Sequence, residues 1–251
     1  MKIVVLASGS KGNSTYIEYN NTKILIDMGI SSSMLEKKLA SVDVNVNYLD
    51  AILITHTHID HVGGLKTFVK KHSTPIYLTE IMYNELEFDF NNREFITTDT
   101  IQIGDIEIVV IKTSHDTNDS IGFVIKADKE VVYITDTGYI NKKYFKAIYN
   151  KNIYIFESNH DIEMLMNGKY PHYIKNRILG DRGHLSNSDS AYYLSKLAGD
   201  KTSHIVLAHL SEENNTEEKA LESLNRALTK ESKTIDNINV AKQKECVYIE
   251  V

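Results

Sequence analysis

The stretch ILITHTHIDHVGGL, residues 52–65, places three histidines and one aspartate within six consecutive positions. The apolar residues before them are typical of a buried strand, and a helix is expected to begin near Asp60. If the segment is extended, His56 and His58 point the same way. Asp60 and His61 can point back towards the same space, so the two pairs can bind two metal ions. Imidazole and carboxylate ligands without thiolate suit zinc, manganese or iron.

The composition is that of an ordinary globular protein, with 42% hydrophobic and 25% charged residues in a chain of 251. One large domain over residues 1–251 is the simplest expectation for this length. The net charge of −6 does not by itself indicate a nucleic-acid partner. It does not exclude one, because a local basic face or bound metal cations can act against the mean charge.

The sequence predicts a cytoplasmic protein without a membrane partner, and no particular oligomeric state. No apolar run reaches the roughly 18 residues of a membrane-spanning helix. The apolar N-terminal segment is short and is broken at residues 8–10, which is typical of a first strand and a turn rather than a secretion signal. The one cysteine, Cys246, permits no intrachain disulfide and fits a reducing compartment.

Short strands and helices alternate along the chain. Strands are expected at residues 3–7, 14–19, 23–29, 50–55, 101–104, 106–113, 120–127, 130–136, 153–158, 204–210 and 245–251. Helices are expected at residues 31–42, 61–72, 141–150, 189–199 and 216–230. Strands dominate each half and helices follow them. This order favours an α/β fold in which two sheets pack face to face with helices outside, a four-layer αββα sandwich.

Further candidate ligands stand at the ends of other apolar strands. Asp27, His115, Asp136 and His209 each close a run of apolar residues. Each of them alone is also a common turn or capping residue. Active sites of α/β proteins favour such strand ends, so the recurring pattern predicts that these side chains complete a dinuclear site.

The segment HTHIDH resembles the H-x-H-x-D-H signature of the metallo-β-lactamase superfamily, and the other strand-end residues follow in the order of its motifs. The resemblance implies an αββα sandwich with two metal ions between the sheets. Carried over by position, the resemblance implies that one metal ion is bound by His56, His58 and His115, and the other by Asp60, His61 and His209. It implies that Asp136 bridges both ions and that Asp27 has a supporting role.

Three more stretches resemble the YycJ/WalJ-like branch of that superfamily, and more distantly RNase Z and phosphodiesterases. They are LASGSKGNS (6–14), FESNHD (156–161) and GDRGHLSNSDSA (180–191). The branch implies nuclease activity, in particular 5′→3′ exonuclease action on DNA. No segment is long enough to supply the large inserted domain of the β-CASP nucleases.

In addition to Asp60, two histidines in these stretches are candidate catalytic groups. His184 follows a glycine and precedes a predicted helix, so it can hydrogen-bond a phosphate oxygen or protonate a leaving oxygen. His160, next to Asp161, is a similar candidate. The alternative for His184 is a solvent-facing histidine at a helix start.

Groups that could bind a nucleic acid are spread more widely. The turn at Gly9 and Gly12 either presents backbone N–H groups to an anion or is a plain turn. A basic face, or ordinary solvated charge, is formed by Lys142, Lys143, Lys146, His172, Lys175, Arg177 and Arg182. Base-stacking residues, or ordinary packing residues, are Tyr170, Tyr173, Tyr192 and Tyr193.

The sequence therefore predicts a phosphodiester hydrolase acting on nucleic acid, with two divalent ions, Zn²⁺ or Mn²⁺, sharing a hydroxide. A hydrolase of thioesters, lactones or small phosphodiesters on the same site is the alternative. A closed apolar pocket would favour that alternative, and an open basic groove would favour nucleic acid. A flavin-linked oxygen reductase usually has glutamate where this chain has His58. A scaffold without enzymatic activity is disfavoured by seven ligand positions that are all filled.

Overall fold

A computed structural model describes residues 1–250, apart from the side chain of residue 250. Val251, the last residue of the expected closing strand, lies outside the described residues. Two seven-stranded sheets form the centre of the structure. The strands are β1 (Lys2–Ala7), β2 (Ser14–Tyr19), β3 (Thr22–Ile26), β4 (Ala51–Leu53), β5 (Ile76–Leu78), β6 (Arg93–Phe95), β7 (Thr100–Ile103), β8 (Ile106–Lys112), β9 (Ile121–Lys126), β10 (Glu130–Ile134), β11 (Ile153–Glu157), β12 (His204–Ala208), β13 (Asn237–Val240) and β14 (Val247–Glu250).

The two sheets repeat one pattern. The first has the order β14-β1-β2-β3-β4-β5-β6 and the second the order β13-β12-β11-β10-β9-β8-β7. In each sheet the pairings are antiparallel on one side and parallel on the other, with the change at β3 in the first and at β10 in the second. Parallel neighbours end at the same edge of their sheet, so the loops that follow them gather there.

Helices accompany both sheets. They are α1 (Ser32–Ala40), α2 (Ile59–Val62), α3 (Leu65–Phe68), α4 (Glu80–Glu85), α5 (Phe145–Ile148), α6 (Ile162–Asn167), α7 (His172–Leu179), α8 (Asn187–Leu197) and α9 (Glu217–Lys230), with short 3₁₀ helices at Val46–Tyr48 and Lys142–Tyr144. Among residues 1–250, no helix is long and apolar enough to cross a membrane.

Alternation along β10 shows how the layers are built. Val131 and Tyr133 belong to the core shared with the first sheet, whereas Val132 and Ile134 belong to the core under the outer helices. Side chains of a strand alternate between faces, so one strand contributes to both cores. Leu194 of α8 joins the second core. The predicted αββα sandwich is confirmed.

The helix expected over residues 61–72 is wrong as a single element. It consists of α2 and α3, which Gly63 and Gly64 separate. The Gly64 N–H donates to the Met28 carbonyl at 2.9 Å. A Cβ at Gly64 would lie 2.0 Å from the Ile30 carbonyl oxygen, so the break follows from close backbone approach.

Some elements carry too little pattern to be predicted. They are β5, α4, β6, α6, α7 and β13. Strands β5 and β6 have three residues each, and β6 is mostly exposed. Their positions depend on pairing with neighbours rather than on a periodic apolar face.

Candidate metal centre

The predicted site residues follow strands of both sheets and meet at one edge. They follow β3 (Asp27), β4 (His56, His58, Asp60 and His61), β8 (His115), β10 (Asp136) and β12 (His209). Asp27, Asp136 and His209 have φ angles of 61°, 55° and 55°. This left-handed conformation is uncommon outside glycine, although Asp and His adopt it more readily than most residues. Three strands thus leave their sheets through strained backbone where their functional side chains begin.

The first group of candidate ligands comprises His56, His58 and His115. One ring nitrogen of each lies within 4.8 Å of the others. His115 donates its Nδ1–H to the Gly183 carbonyl at 3.0 Å, which leaves Nε2 as a lone-pair nitrogen 3.2 Å from Nδ1 of His58. Burial lowers the pKa of all three imidazoles. A lowered pKa favours the neutral imidazole, the form that binds a metal ion.

The second group comprises Asp60, His61 and His209, again with ligand atoms within 4.8 Å of one another. Nε2 of His61 lies 3.5 Å from Oδ2 of Asp60. Asn13 donates from Nδ2 to the same carboxylate oxygen at 3.2 Å and lies 2.9 Å from Nε2 of His61. Asn13 was not predicted; its glycine-flanked loop was considered only for its backbone N–H groups.

Asp136 lies between the two groups. Its Oδ2 is 3.1 Å from Nε2 of His61 and 3.0 Å from Nδ1 of His209. Its Oδ1 faces the first group, 3.8 Å from Nε2 of His115. With one oxygen towards each group, the Asp136 carboxylate is placed where it can contact both.

Buried charge is compensated within this half of the site. Burial alone would raise the pKa of the Asp136 carboxyl, but the charges of His209 and His61 outweigh it and hold the pKa well below its usual value. Burial alone would lower the pKa of His209, but Asp136 raises it to about 9. A bound dication would supply the same compensation and leave the imidazoles neutral.

Asp27 holds the second group from behind. The N–H and Oγ1 of Thr55 each donate to a carboxylate oxygen of Asp27 at 2.8 Å. Nδ1 of His61 lies 2.7 Å from Oδ2 of Asp27, so the Nδ1–H donates a hydrogen bond to this carboxylate. This hydrogen bond orients Nε2 of His61 towards Asp136. Asp27 is fully buried and belongs to none of the ligand groups, in line with the supporting position predicted for it.

His184 reaches the centre as half of a carboxylate–imidazole pair. Its Nδ1 donates to Oε1 of Glu157 at 2.7 Å and lies 3.6 Å from Oδ1 of Asp136. Oε2 of Glu157 accepts from the backbone N–H groups of Thr137 at 3.0 Å and Leu185 at 3.2 Å. Glu157 is fully buried, so the pair fixes the ring and leaves Nε2 free among the described residues.

Glu157, like Asn13, was not predicted from the sequence. The signal was present, since Glu157 ends an apolar strand within the quoted FESNHD stretch. Burial alone would lower the pKa of His184, but the charge and hydrogen bond of Glu157 outweigh it and raise that pKa. A histidine that faced water at a helix start would show neither the buried partner nor this shift.

His160 is placed differently from His184. It is 1% exposed, and neither ring nitrogen has a hydrogen-bond partner among the described residues. Its backbone pairs with Ser186, and burial lowers its pKa to about 4. It joins none of the candidate ligand groups, so its catalytic role stays a prediction.

The turn at residues 8–13 uses its N–H groups internally. The Gly9 N–H donates to Oδ1 of Asn13 at 2.8 Å, and the Gly12 N–H donates to the Gly9 carbonyl at 3.0 Å. Lys11 donates its N–H to Oε1 of Gln243 at 3.0 Å. These contacts favour the plain turn over the anion site, because the N–H groups already have acceptors.

The proposed basic face is only partly assembled at the centre. Lys175 points inward to the Met166 carbonyl, 2.6 Å away, so its place on that face is wrong. Arg182 donates from Nε to the His115 carbonyl at 3.0 Å. Tyr193 packs edge-on against Phe145 rather than standing free.

The fold and the site define a class of protein, and comparison with known proteins agrees. Residues 22–210 match the family model of a beta-lactamase superfamily domain. The metallo-beta-lactamase fold protein YhfI from Bacillus subtilis aligns with a TM-score of 0.73 at 18% identity, over 99% of this chain and 98% of that one. The chain belongs to the metallo-β-lactamase superfamily.

Within the superfamily the chain belongs to the YycJ/WalJ branch, as its motifs predicted. It is 38% identical over 231 residues to exodeoxyribonuclease YycJ of Bacillus anthracis, covering 89% of this chain and 88% of that protein. It is also 38% identical over 231 residues to exodeoxyribonuclease WalJ of Streptococcus pneumoniae, covering 87% and 85% of the two chains.

The superfamily implies divalent metal ions, typically two, and the residues present fit them. The donor atoms are imidazole nitrogens and carboxylate oxygens, the set that Zn²⁺ and Mn²⁺ accept. Nε2 of His56 is buried and has no hydrogen-bond partner among the described residues. Buried polar atoms are rarely left unpaired, and a cation bound by the first group would give this nitrogen a partner.

Asp27→Asn tests whether the buried carboxylate orients His61. Asparagine keeps the shape but offers one acceptor oxygen, while Thr55 and His61 together need two. We expect metal affinity to fall about 10–100-fold, as for the loss of a partner that orients a ligand. Competition with a chromogenic chelator measures this. The control is Asp50→Asn, which replaces an exposed carboxylate that accepts a hydrogen bond from the Lys23 backbone N–H. Equal metal affinities for the two variants would contradict the proposed role of Asp27 in orienting His61.

Proposed function

We propose that this protein is a metal-dependent exodeoxyribonuclease that hydrolyses DNA phosphodiester bonds from a 5′ end. The observation that carries the proposal is that the seven ligands predicted from the sequence meet the His184–Glu157 pair at one sheet edge. The 38% identity to exodeoxyribonucleases over most of both chains supports DNA as the substrate.

We assign the ligands in two sets that share one carboxylate. The first set is His56, His58 and His115, and the second set is Asp60, His61 and His209. The shared ligand is Asp136. When bound, two divalent ions, Zn²⁺ or Mn²⁺, supply a nucleophile from water at neutral pH and offset the negative charge of the phosphate.

The chain's own residues hold and orient the reacting groups. Asp60 is 16% exposed at its side chain and lies at the opening of the site, where it can orient the attacking group. Glu157 fixes the ring of His184 so that Nε2, the nitrogen without a protein partner, can face the substrate. From there it donates a hydrogen bond to a phosphate oxygen or a proton to the leaving oxygen.

The substrate is tested with purified protein, labelled oligonucleotides and either Mn²⁺ or Zn²⁺. We expect mononucleotides to be released from the 5′ end of DNA, shown by labels at the 5′ and 3′ ends. DNA and RNA, single- and double-stranded, are compared in parallel with a thioester and a small phosphodiester. Fast thioester cleavage with every nucleic acid intact would contradict the proposal and favour a small-molecule hydrolase.

Asp136→Ala tests the shared ligand. We expect two metal ions per wild-type chain, and loss of both metal and activity in the variant, because both ligand sets lose an oxygen. Elemental analysis and a cleavage assay measure the two effects, with Asp105→Ala at an exposed turn as control. Wild-type protein with one ion at most and full turnover would rule out the dinuclear assignment.

His184→Ala and Glu157→Gln separate chemistry from metal binding. We expect His184→Ala to slow single-turnover cleavage about 10²–10⁴-fold, the range for a positioned acid or hydrogen-bond donor. At 1.36 kcal/mol per tenfold this is about 3–5 kcal/mol of barrier. Glu157→Gln should lose rate in the same direction, because the amide no longer fixes the Nδ1 proton.

Metal content and melting temperature are measured for both variants beside His56→Ala. The two variants should keep their metal, whereas His56→Ala should lose it with the rate. A near wild-type rate in His184→Ala would make the residue a bystander. Metal loss equal to that of His56→Ala would instead make it a ligand.

A further inference from the structure

Helix α7 is fastened to the loop that carries His115. Arg177, on α7, donates from Nε to Oδ2 of Asp116, and Arg182, just after α7, donates from Nη2 to the Thr117 carbonyl at 2.6 Å. The His184 N–H donates to the Ile178 carbonyl at 2.9 Å. The helix is therefore held beside the centre, between the first ligand group and the His184–Glu157 pair.

Asp116 connects Arg177 to the candidate metal centre. Oδ1 of Asp116 lies 3.5 Å from Nε2 of His58 and 3.4 Å from Nε2 of His115, two of the proposed ligands. The Arg177 side chain is 53% exposed, and only its Nε is bonded among the described residues. Its two Nη groups remain available, and a guanidinium presents such groups as a fork that fits a phosphate.

Tyr173 lies one helical turn before Arg177. Residues four apart on a helix are neighbours on one face, so Tyr173 and Arg177 share a face of α7. Tyr173 is 71% exposed and makes no ring contact among the described residues, unlike Tyr193. An open aromatic ring on the same helix face as a guanidinium with two unbonded Nη groups matches the alternating base and phosphate of a single strand.

We propose that the exposed face of α7 binds single-stranded DNA next to the metal centre, with Arg177 on a backbone phosphate and Tyr173 stacked on a base. The inference rests on the proposed nuclease function and names how the strand is held. Asp116 keeps the guanidinium aimed at the centre, and Arg177 offsets a carboxylate that would otherwise repel the strand. Since every base has a face to stack, this surface binds without sequence preference.

The test measures binding separately from cleavage. Fluorescence anisotropy with a labelled, hydrolysis-resistant phosphorothioate oligothymidylate gives the Kd of the metal-loaded protein at several salt concentrations. Tyr173→Ala should weaken binding about 5–150-fold, the range for one base on an aromatic ring, and Tyr173→Phe should restore it. Arg177→Ala should weaken binding and reduce the slope of log Kd against log salt by about 0.7, one phosphate contact on a single strand.

Matched controls come from elsewhere on the surface. Tyr48 is 69% exposed in the 3₁₀ helix before β4, at the opposite end of that strand from the centre. Arg226 is 66% exposed and pairs with Glu222 on α9. Tyr48→Ala and Arg226→Ala should bind like wild type.

The outcomes separate this surface from the proposed activity. Tyr173→Ala and Arg177→Ala binding as well as the two controls would overturn the surface even if wild type cleaves DNA. Weakened binding in a protein that cleaves no DNA would overturn the nuclease and keep the surface. Loss of metal in Arg177→Ala, with an unchanged salt slope, would reduce Arg177 to a support for Asp116 and overturn the phosphate contact.

Discussion

Asp136 is a carboxylate with almost no exposure, and the site is organised around the cost of burying its charge. An unpaired buried carboxylate is strongly unfavourable, so positive charge must lie within a few ångström. His61 and His209 lie at 3.1 and 3.0 Å, and His115 lies on the other side. Loops from both sheets meet at Asp136, and three of the strands that lead to the site end in left-handed residues, Asp27, Asp136 and His209.

Two further buried carboxylates repeat one arrangement for different purposes. Asp27 accepts a hydrogen bond from Nδ1–H of His61, and Glu157 accepts one from Nδ1–H of His184. In the first pair the other ring nitrogen lies near Asn13 and Asp136, where we propose a metal ion. In the second pair the other ring nitrogen has no partner among the described residues, and we propose that it faces the substrate. Each carboxylate is also held by backbone N–H donors, so the acceptor that orients each imidazole is itself fixed in place.

The candidate ligands could be proposed from the sequence because four of them lie within six residues, the others close apolar strands, and all follow the order of the superfamily motifs. Strand alternation and strand ends are local properties, and they were enough to predict the sandwich. Glu157, Asn13 and the helical conformation of residues 172–179 were not predicted because they depend on which loop lies opposite them. The helix over 61–72 failed for the same reason, since the break at Gly64 reflects the carbonyl of Ile30.

The most direct test of this account is the anomalous scattering of a crystal of the metal-loaded protein. It predicts two peaks, one beside His56, His58 and His115 and one beside Asp60, His61 and His209, with the Asp136 carboxylate touching both. A single peak, or two peaks without Asp136 between them, would contradict the central claim that one buried carboxylate joins the two halves of the site.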